Sequence, residues 1–127
     1  MDTPGQRGVG LTGTNLMNQG DIYLINLDPV IQTEIGKTRP GLIISINAMN
    51  HHSPRLIVAP ISSSVGKVYP FEVVIPAGIG GLKKDSKVML DHIRSLDKTR
   101  FVRKIGILKE DLLSQACTIA QKLLSPE

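Results

Sequence analysis

The chain has 127 residues, the size of a single domain with one hydrophobic core. Apolar residues make up 41% of it and charged residues 20%, and no stretch approaches the roughly 20 uninterrupted apolar residues that a membrane helix requires. The net charge of +4 permits a polyanionic partner without requiring one. These values argue against a two-domain protein and against a membrane protein, and they favour one globular domain.

The N-terminal residues are rich in Gly and Thr and contain few bulky apolar side chains. Burial would not repay the entropy of ordering them, so we predict a flexible extension over residues 1–18 and one folded domain over residues 19–127. The extension lacks the continuous apolar run of a secretory signal, and Cys117 has no second cysteine with which to form a disulfide. We therefore expect a cytoplasmic protein in which Cys117 is a structural thiol.

Runs of β-branched and alternating apolar residues predict five strands, each bounded by Pro, Gly or polar residues. The predicted strands lie at residues 21–27, 40–46, 55–61, 69–76 and 87–96. The first two are joined by a loop of about ten residues, a length that in compact domains is often functional. The polar residues 47–54 are predicted to form a loop, and the fifth strand is expected to break near Arg94.

The C-terminal segment 109–125 predicts a helix that packs on the sheet. Its apolar side chains recur at three- and four-residue spacing, at Leu112, Ala116, Ile119, Ala120 and Leu123. Strands followed by one packing helix predict a mainly β (α+β) fold, a compact antiparallel barrel or strongly curved sheet with a C-terminal helix.

The residue pattern gives little support for a metal or a cofactor. His51 and His52 are adjacent and would point to opposite faces of an extended chain, and His92 is remote from both. The sequence contains no cysteine pair at zinc-ligand spacing, no phosphate-binding loop, no dinucleotide fingerprint and no nucleophile elbow. We expect no metal and no cofactor, so the chemistry must come from ordinary side chains.

Arg39 stands directly before Pro40, where the first loop becomes a strand. A guanidinium is a planar fork of permanent donors that suits phosphate oxygens, although an arginine in such a place is more often a surface or salt-bridging residue. Eight of the fifteen cationic residues also lie within residues 83–104: Lys83, Lys84, Lys87, Arg94, Lys98, Arg100, Arg103 and Lys104. Taken alone, this cationic segment is compatible with an ordinary solvated surface.

Four segments, in the order GDIYLINLDP, EIGKTRPGLIIS, VAPISS and VMLDHIRSLDKTR, resemble the MazF/PemK/Kid family of toxin ribonucleases from toxin–antitoxin operons. The resemblance covers residues 19–124. It implies an SH3-like, PemK-type antiparallel barrel that forms homodimers and is neutralised by an acidic, MazE-like antitoxin. It also implies cleavage of single-stranded RNA (mRNA) at short motifs by attack of the ribose 2′-OH, which leaves a cyclic phosphate and a 5′-OH without a metal.

The same resemblance assigns roles to individual residues. Arg39 matches the catalytic arginine and would stabilise the charge of the transition state; Ser62, where many members have Thr, would donate a hydrogen bond to the same phosphate. Glu34 and Asp91 match acidic positions and are candidates for proton transfer. The other residues expected to bind substrate are Ser63, His92, Arg94 and Lys98.

Some positions depart from the family pattern. Thr33 and Met89 stand where one branch has His and Arg, so that branch's mechanism does not transfer, and His92 stands where Gln is usual. With two Phe, two Tyr and no Trp in the chain, we expect base selection to rely mainly on loop hydrogen bonds rather than on stacking.

Two alternatives to a ribonuclease stay open at this point. CcdB-like toxins share the fold but bind a topoisomerase without catalysis, and fold alone does not separate the two classes. Such a protein would depend on residues of its C-terminal helix rather than on Arg39 and Ser62. The second alternative is a catalytically silent RNA-binding relative, which the Ser in place of Thr would suit.

Overall fold

The computed structural model describes residues 16–27 and 38–127. The strands in this part of the chain are β1 Asp21–Asn26, β2 Thr38–Ile43, β3 Arg55–Ser62, β4 Glu72–Ile75, β5 Ser86–Met89, β6 Arg94–Asp97 and β7 Phe101–Ile107. The helices are α1 Asn47–His52 and α2 Glu110–Leu123, with short 3-10 helices at Leu90–His92 and Lys98–Arg100. No helix within the described ranges is long and apolar enough to cross a membrane.

The described strands pair antiparallel in the order β4-β5-β3-β2-β1-β7. Strand β3 pairs with β2 along one edge, and its other edge is shared by two partners. Its first half pairs with β6 and its last two residues pair with β5. The 3-10 helix Leu90–His92 connects these two partners and forms a corner, so the sheet curls around β3. The predicted mainly β fold with a C-terminal helix is confirmed.

The turn after β4 lies against β7 by direct contact of the two backbones. A Cβ atom built on Gly106 would stand 2.1 Å from the carbonyl oxygen of Gly80, and one built on Gly81 would stand 1.9 Å from that of Ile105. Gly81 also has a φ of +80°, in the left-handed region that glycine favours. Both sides of this contact therefore require glycine, and the contact brings the β4 end of the sheet against β7 to complete a barrel-like shape.

The sheet has apolar side chains on both faces because successive residues of a strand point to opposite sides. In β3, Ala59 and Ile61 join a core that includes α2, while Leu56 and Val58 join a second cluster on the other face. Helix α2 buries only the small side chains of its face, Ala116 and Ala120, and small residues let its backbone lie close to the sheet. Leu123, predicted for the same apolar face, is 44% exposed at the end of the helix.

The prediction of a loop over residues 47–54 is wrong, because residues 47–52 form helix α1. The helix is held by a buried contact rather than by its own propensity. Asn50 is 1% exposed, and its side-chain amide donates to the carbonyl oxygen of Ser45 at 2.8 Å while its carbonyl accepts from the Ser45 hydroxyl. Polar residues that would favour a loop thus form a helix, since Ser45 supplies the partner that Asn50 needs when buried.

The predicted fifth strand, residues 87–96, is two strands. The side chain of Leu90 is fully buried, and its backbone N–H donates to the carbonyl oxygen of Phe71, which extends the pairing of β5 with β4 by one residue before the chain turns into the 3-10 helix. Strand β7 was not predicted, because its cations and Gly106 interrupt the alternation of apolar residues. Strand β7 forms because it pairs with β1, and this pairing includes two register shifts.

Candidate active site

An open cleft of about 650 Å³ lies at the end of β3, beside the start of β2. Hydroxyl groups, cationic side chains and an apolar floor line it together. The polar lining residues are Arg39, Ser62, Ser63, Ser64, Lys83, Lys84, Ser86, His92 and Arg94, and the apolar ones are Leu27, Pro40, Pro60, Ile61, Leu82 and Met89. Positive charge over an apolar, hydroxyl-rich surface suits a phosphate-containing polymer.

Arg39 and Ser62 reach the cleft from neighbouring strands. The antiparallel pairing of β2 with β3 ends at Gly41 and Pro60, two residues from Arg39 on β2 and two residues from Ser62 on β3. Both residues line the cleft. The two side chains predicted to be catalytic therefore share one end of the cleft.

The local contacts of these two residues leave their functional groups at the surface. Arg39 is exposed, and its Nη1 donates to the carbonyl oxygen of Thr38 at 3.0 Å, while its backbone is paired with Ile25 of β1. The hydroxyl oxygen of Ser62 accepts the backbone N–H of Ser64 at 3.1 Å. This bond orients the hydroxyl and leaves its hydrogen able to point towards a ligand.

Three further cations line the cleft from two different elements. Lys83 and Lys84 follow the glycine turn that lies against β7, so the backbone contact of Gly81 and Gly106 also sets the position of these lysines. Arg94 begins β6 opposite Val58, and its Nη1 donates to the carbonyl oxygen of Leu27 at 3.3 Å. The cations of the cleft therefore come from β2, from β6 and from the segment that follows the glycine turn.

His92 lines the cleft from the 3-10 helix, whereas Asp91 lies beside the cleft rather than in its lining. The two are in contact, since Nε2 of His92 is 3.7 Å from Oδ2 of Asp91. The side chain of His92 is 57% exposed and that of Asp91 39%. Asp91 is therefore next to a side chain of the cleft lining.

The other predicted site residues have different positions. Ser63 lines the cleft directly after Ser62. Lys98 lies on the second 3-10 helix, where its backbone N–H donates to the carbonyl oxygen of Pro54 and burial lowers the pKa of its ammonium group. Glu34 lies outside the described residues.

The cationic segment 83–104 does not form one surface, because several of its members are used by the fold. Nζ of Lys87, a residue 8% exposed, lies 3.0 Å from Oε1 of Glu72. Nζ of Lys104 lies 3.2 Å from Oδ1 of the buried Asp21. The interpretation of the segment as an ordinary solvated surface is therefore wrong for Lys87, which is buried. The cations of this segment that line the cleft are Lys83, Lys84 and Arg94.

The Glu72–Lys87 pair was not identified from the sequence. Burial would raise the pKa of Glu72, but the backbone N–H of Tyr69, 2.9 Å from Oε1, and the hydrogen bond and charge of Lys87 together lower it below its ordinary value. The pair joins β4 to β5 next to Ser62, because Lys87 is the residue that pairs with Ser62 in the sheet. Its role is therefore to hold the cleft wall in place.

A metal site is not apparent in the described part of the chain, where no group of three or more His, Cys, Asp or Glu side chains could hold an ion.

Cys117 on α2 is half-buried, and this burial raises the pKa of its thiol. A thiol of this kind stays largely protonated at neutral pH and is a weak nucleophile.

Comparisons with known proteins show the family of this chain. Residues 18–124 match the model of the family described as PemK-like, MazF-like toxins of type II toxin–antitoxin systems. Endoribonuclease MazF9 of Mycobacterium tuberculosis is 34% identical over 105 residues, which cover 79% of this chain and 89% of the relative. Endoribonuclease EndoA of Bacillus subtilis is 36% identical over 101 residues, covering 79% and 87%.

Solved structures give the same result. The crystal structure of MazF (Form-I) from Deinococcus radiodurans matches with a TM-score of 0.70 and 31% identity, over 86% of this chain and 96% of that one. A MazE-MazF structure (Form-II) from the same organism matches with a TM-score of 0.70 and 28% identity, over 88% and 98%.

Proposed function

This chain belongs to the PemK-like, MazF-like toxin family of type II toxin–antitoxin systems, and we propose that it is the toxin endoribonuclease of such a system, cutting single-stranded RNA in the cleft at Arg39 and Ser62. The observation that supports the proposal is that Arg39 of β2 and Ser62 of β3 line one cleft together with further cationic side chains. The relatives that are named endoribonucleases support the same activity.

In the proposed reaction the ribose 2′-OH attacks the neighbouring phosphorus, a cyclic phosphate forms and the 5′-oxygen leaves as a hydroxyl. Negative charge accumulates on the phosphate oxygens in the transition state, so the protein's main task is to stabilise it. Arg39 keeps its charge at any physiological pH and is a poor base, and its fork of donors binds these oxygens. Ser62 donates its hydroxyl hydrogen to the same phosphate; one such donor is worth about 3 kcal/mol in related oxyanion sites.

A proton must also leave the 2′-OH and another must reach the departing 5′-oxygen. Imidazole is the side chain that exchanges protons most readily near neutral pH, and His92 lines the cleft. Oδ2 of Asp91 lies 3.7 Å from Nε2 of this imidazole. We assign proton transfer to His92, with Asp91 next to it; Glu34 stays a prediction from the family pattern.

The remaining cleft cations bind the RNA on either side of the cut. Lys83, Lys84 and Arg94 line the cleft, and each phosphate neutralised by such a group releases counterions. The logarithm of the affinity should therefore fall linearly with the logarithm of the salt concentration. For single-stranded RNA the slope is about −0.7 for each phosphate that the protein neutralises. Ser63 is placed to donate a hydrogen bond to the same strand.

The biological setting is proposed on the same grounds. The MazE-MazF structure from Deinococcus radiodurans supports an antitoxin partner, and a positively charged cleft would attract an acidic, MazE-like antitoxin as it attracts RNA. We also propose that the chain forms a homodimer. It would act in the cytoplasm, where its mRNA substrate is found. Salt-insensitive binding of the antitoxin would contradict the electrostatic part of this proposal.

The test is incubation of the purified protein with a long single-stranded RNA in excess chelator, followed by mapping of the fragment ends. Cuts at a recurring short motif with 5′-OH ends are expected. Arg39→Ala should lower the rate at least about 100-fold, and Ser62→Ala should have an effect of similar size. Ser62→Thr is the matched control, because it keeps the hydroxyl.

The outcomes separate the open alternatives. Full activity of Arg39→Ala would show that the site is wrong, and loss of wild-type activity in chelator would show that the mechanism is wrong. Intact RNA with a folded protein would favour the topoisomerase-binding or catalytically silent class.

A further inference from the structure

Two of the chain's four aromatic residues stack on each other in the segment that leads into β4. The rings of Tyr69 and Phe71, here called the aromatic platform, are parallel to within 1° with centroids 5.4 Å apart. Tyr69 is 43% exposed, and Nζ of Lys67 lies 5.1 Å from the centroid of its ring. An exposed ring with a cation next to it is the combination that binds single-stranded nucleic acid by stacking.

The aromatic platform is tied to the strand that carries Ser62. Lys87 pairs with Ser62 in the sheet, and its ammonium donates to the carbonyl oxygen of Lys67 at 2.9 Å and to Oε1 of Glu72 at 3.0 Å. The same Glu72 oxygen accepts the backbone N–H of Tyr69 at 2.9 Å. The platform therefore has a fixed position relative to Ser62 even though its rings reach the surface.

The other end of the platform is tied to the 3-10 helix that connects β5 with β6. The carbonyl oxygen of Phe71 accepts the backbone N–H of Leu90 at 3.2 Å, and Leu90 begins the 3-10 helix that carries His92. Hydrogen bonds thus connect the platform, which lies outside the lining of the cleft, to the elements that carry Ser62 and His92. Since the rings already stack on each other, little side-chain entropy is lost when a third ring is added.

We propose that the aromatic platform is a subsite that stacks an unpaired base of the RNA flanking the cut, with the Lys67 ammonium bound to a phosphate of that nucleotide. The inference rests on the proposed function and extends it. Stacking accepts any base, because every base has an aromatic face. It does select against duplex RNA, in which both faces of each base are already covered.

The contact between Lys67 and Tyr69 does not prevent base binding. A cation–π contact at an exposed position changes an equilibrium by about twofold to fivefold. Stacking of a base on an aromatic side chain changes it by about fivefold to 100-fold. An incoming base therefore displaces the ammonium from the ring, and the ammonium is then available to the phosphate.

The chain's own tyrosines allow a direct test. In a Tyr23→Phe variant the contact with Phe101 is kept, and Tyr69 is the remaining tyrosine. The probe is a short single-stranded DNA oligonucleotide, which is not cut because it lacks the attacking 2′-OH. When it binds, the fluorescence of Tyr69, corrected for absorption by the nucleotides, should be quenched. Duplex DNA of the same sequence should quench it far less, and equal quenching by both would overturn the proposal.

Kinetics on single-stranded RNA give the second measurement. Tyr69→Ala should raise KM at least about fivefold and leave kcat within about twofold, and Tyr69→Phe should restore KM, because it keeps the ring. Val68→Ala, at a neighbouring exposed position, is the control and should match the wild type. An unchanged KM in Tyr69→Ala, or a fall in kcat without a rise in KM, would overturn the proposal.

The two proposals fail in different ways. If the wild type cuts RNA and Tyr69→Ala behaves identically, the platform is not a subsite while the ribonuclease assignment stands. If the wild type does not cut RNA but Tyr69 is still quenched by single strands, the platform binds nucleic acid and the proposed ribonuclease function is wrong.

Discussion

Adding one methyl group at Gly106 should separate the turn after β4 from β7. Its Cβ would lie 2.1 Å from the oxygen and 2.3 Å from the carbon of the Gly80 carbonyl, and 2.8 Å from the nitrogen of Gly81. These are backbone atoms that cannot rotate away, so the two segments must move apart by about 1 Å to reach an ordinary carbon–oxygen contact of about 3.3 Å. Overpacking of this kind costs about 1–3 kcal/mol.

Part of the cost comes from the residue that follows the turn. Leu82 is 6% exposed, and full loss of its burial would cost about 1.5–3 kcal/mol. Because the turn is displaced rather than unfolded, we expect Gly106→Ala to cost about 2–4 kcal/mol in all. At about 4 °C per kcal/mol for a domain of this size, Tm should fall by about 8–16 °C.

Thermal unfolding followed by circular dichroism measures the effect. The control is Gly66→Ala, where the new Cβ meets nothing within 4 Å and the cost is the strain of a φ of +44°, about 1 kcal/mol. Below the transition, Gly106→Ala should also bind RNA more weakly, because Lys83 and Lys84 follow the displaced turn. A Tm within about 2 °C of wild type, or equal to that of the control, would refute the steric argument.

Three other predictions concern single side chains. Burial would raise the pKa of Glu72, but hydrogen bonds and the Lys87 charge hold it below its ordinary value of 4.5 in the folded protein. The Glu72 carboxylate therefore stabilises the fold above about pH 4.5, and this stabilisation is lost as the pH falls through the lower pKa of the folded state. Glu72→Gln should thus lower Tm near neutral pH and much less near about pH 3; a pH-independent difference would contradict this. Burial raises the pKa of the Cys117 thiol, so its alkylation by iodoacetamide should be slower in the folded protein than in urea, and equal rates would be evidence against that burial. His92→Gln should lower kcat on RNA at least about 100-fold with little change in KM, whereas an unchanged kcat would remove His92 from proton transfer.

The sequence was sufficient for the family and the fold class, and both predictions are confirmed. Strands β1 and β3 were predicted because alternation of apolar residues is a local signal, and α2 was predicted because Ala116 and Ala120 recur at helical spacing. Helix α1 depends on a buried contact between Asn50 and Ser45, and β7 depends on its pairing with β1. Such contacts join residues whose proximity the local pattern does not contain.

The site shows the same division. Arg39 and Ser62 were named from motifs, but their place in one cleft depends on the pairing of β2 with β3. The role of Lys83 depends on the glycine contact with β7, which no charge count reveals. A count of aromatic residues likewise does not show that Tyr69 and Phe71 lie together. Glu34 stays a prediction.

The two partners on one edge of β3 also limit how the cleft can change in evolution. Between Met89 and Arg94 the chain has four residues to pass from β5 to β6, and both strands are fixed to the same neighbour. One residue more or fewer would shift β6 by one position and turn its side chains to the opposite face. Variation of side chains at Asp91 and His92 is compatible with the fold, but variation in length is not. Relatives that cut different RNA motifs should therefore differ here in residue type, while insertions and deletions should occur in other loops.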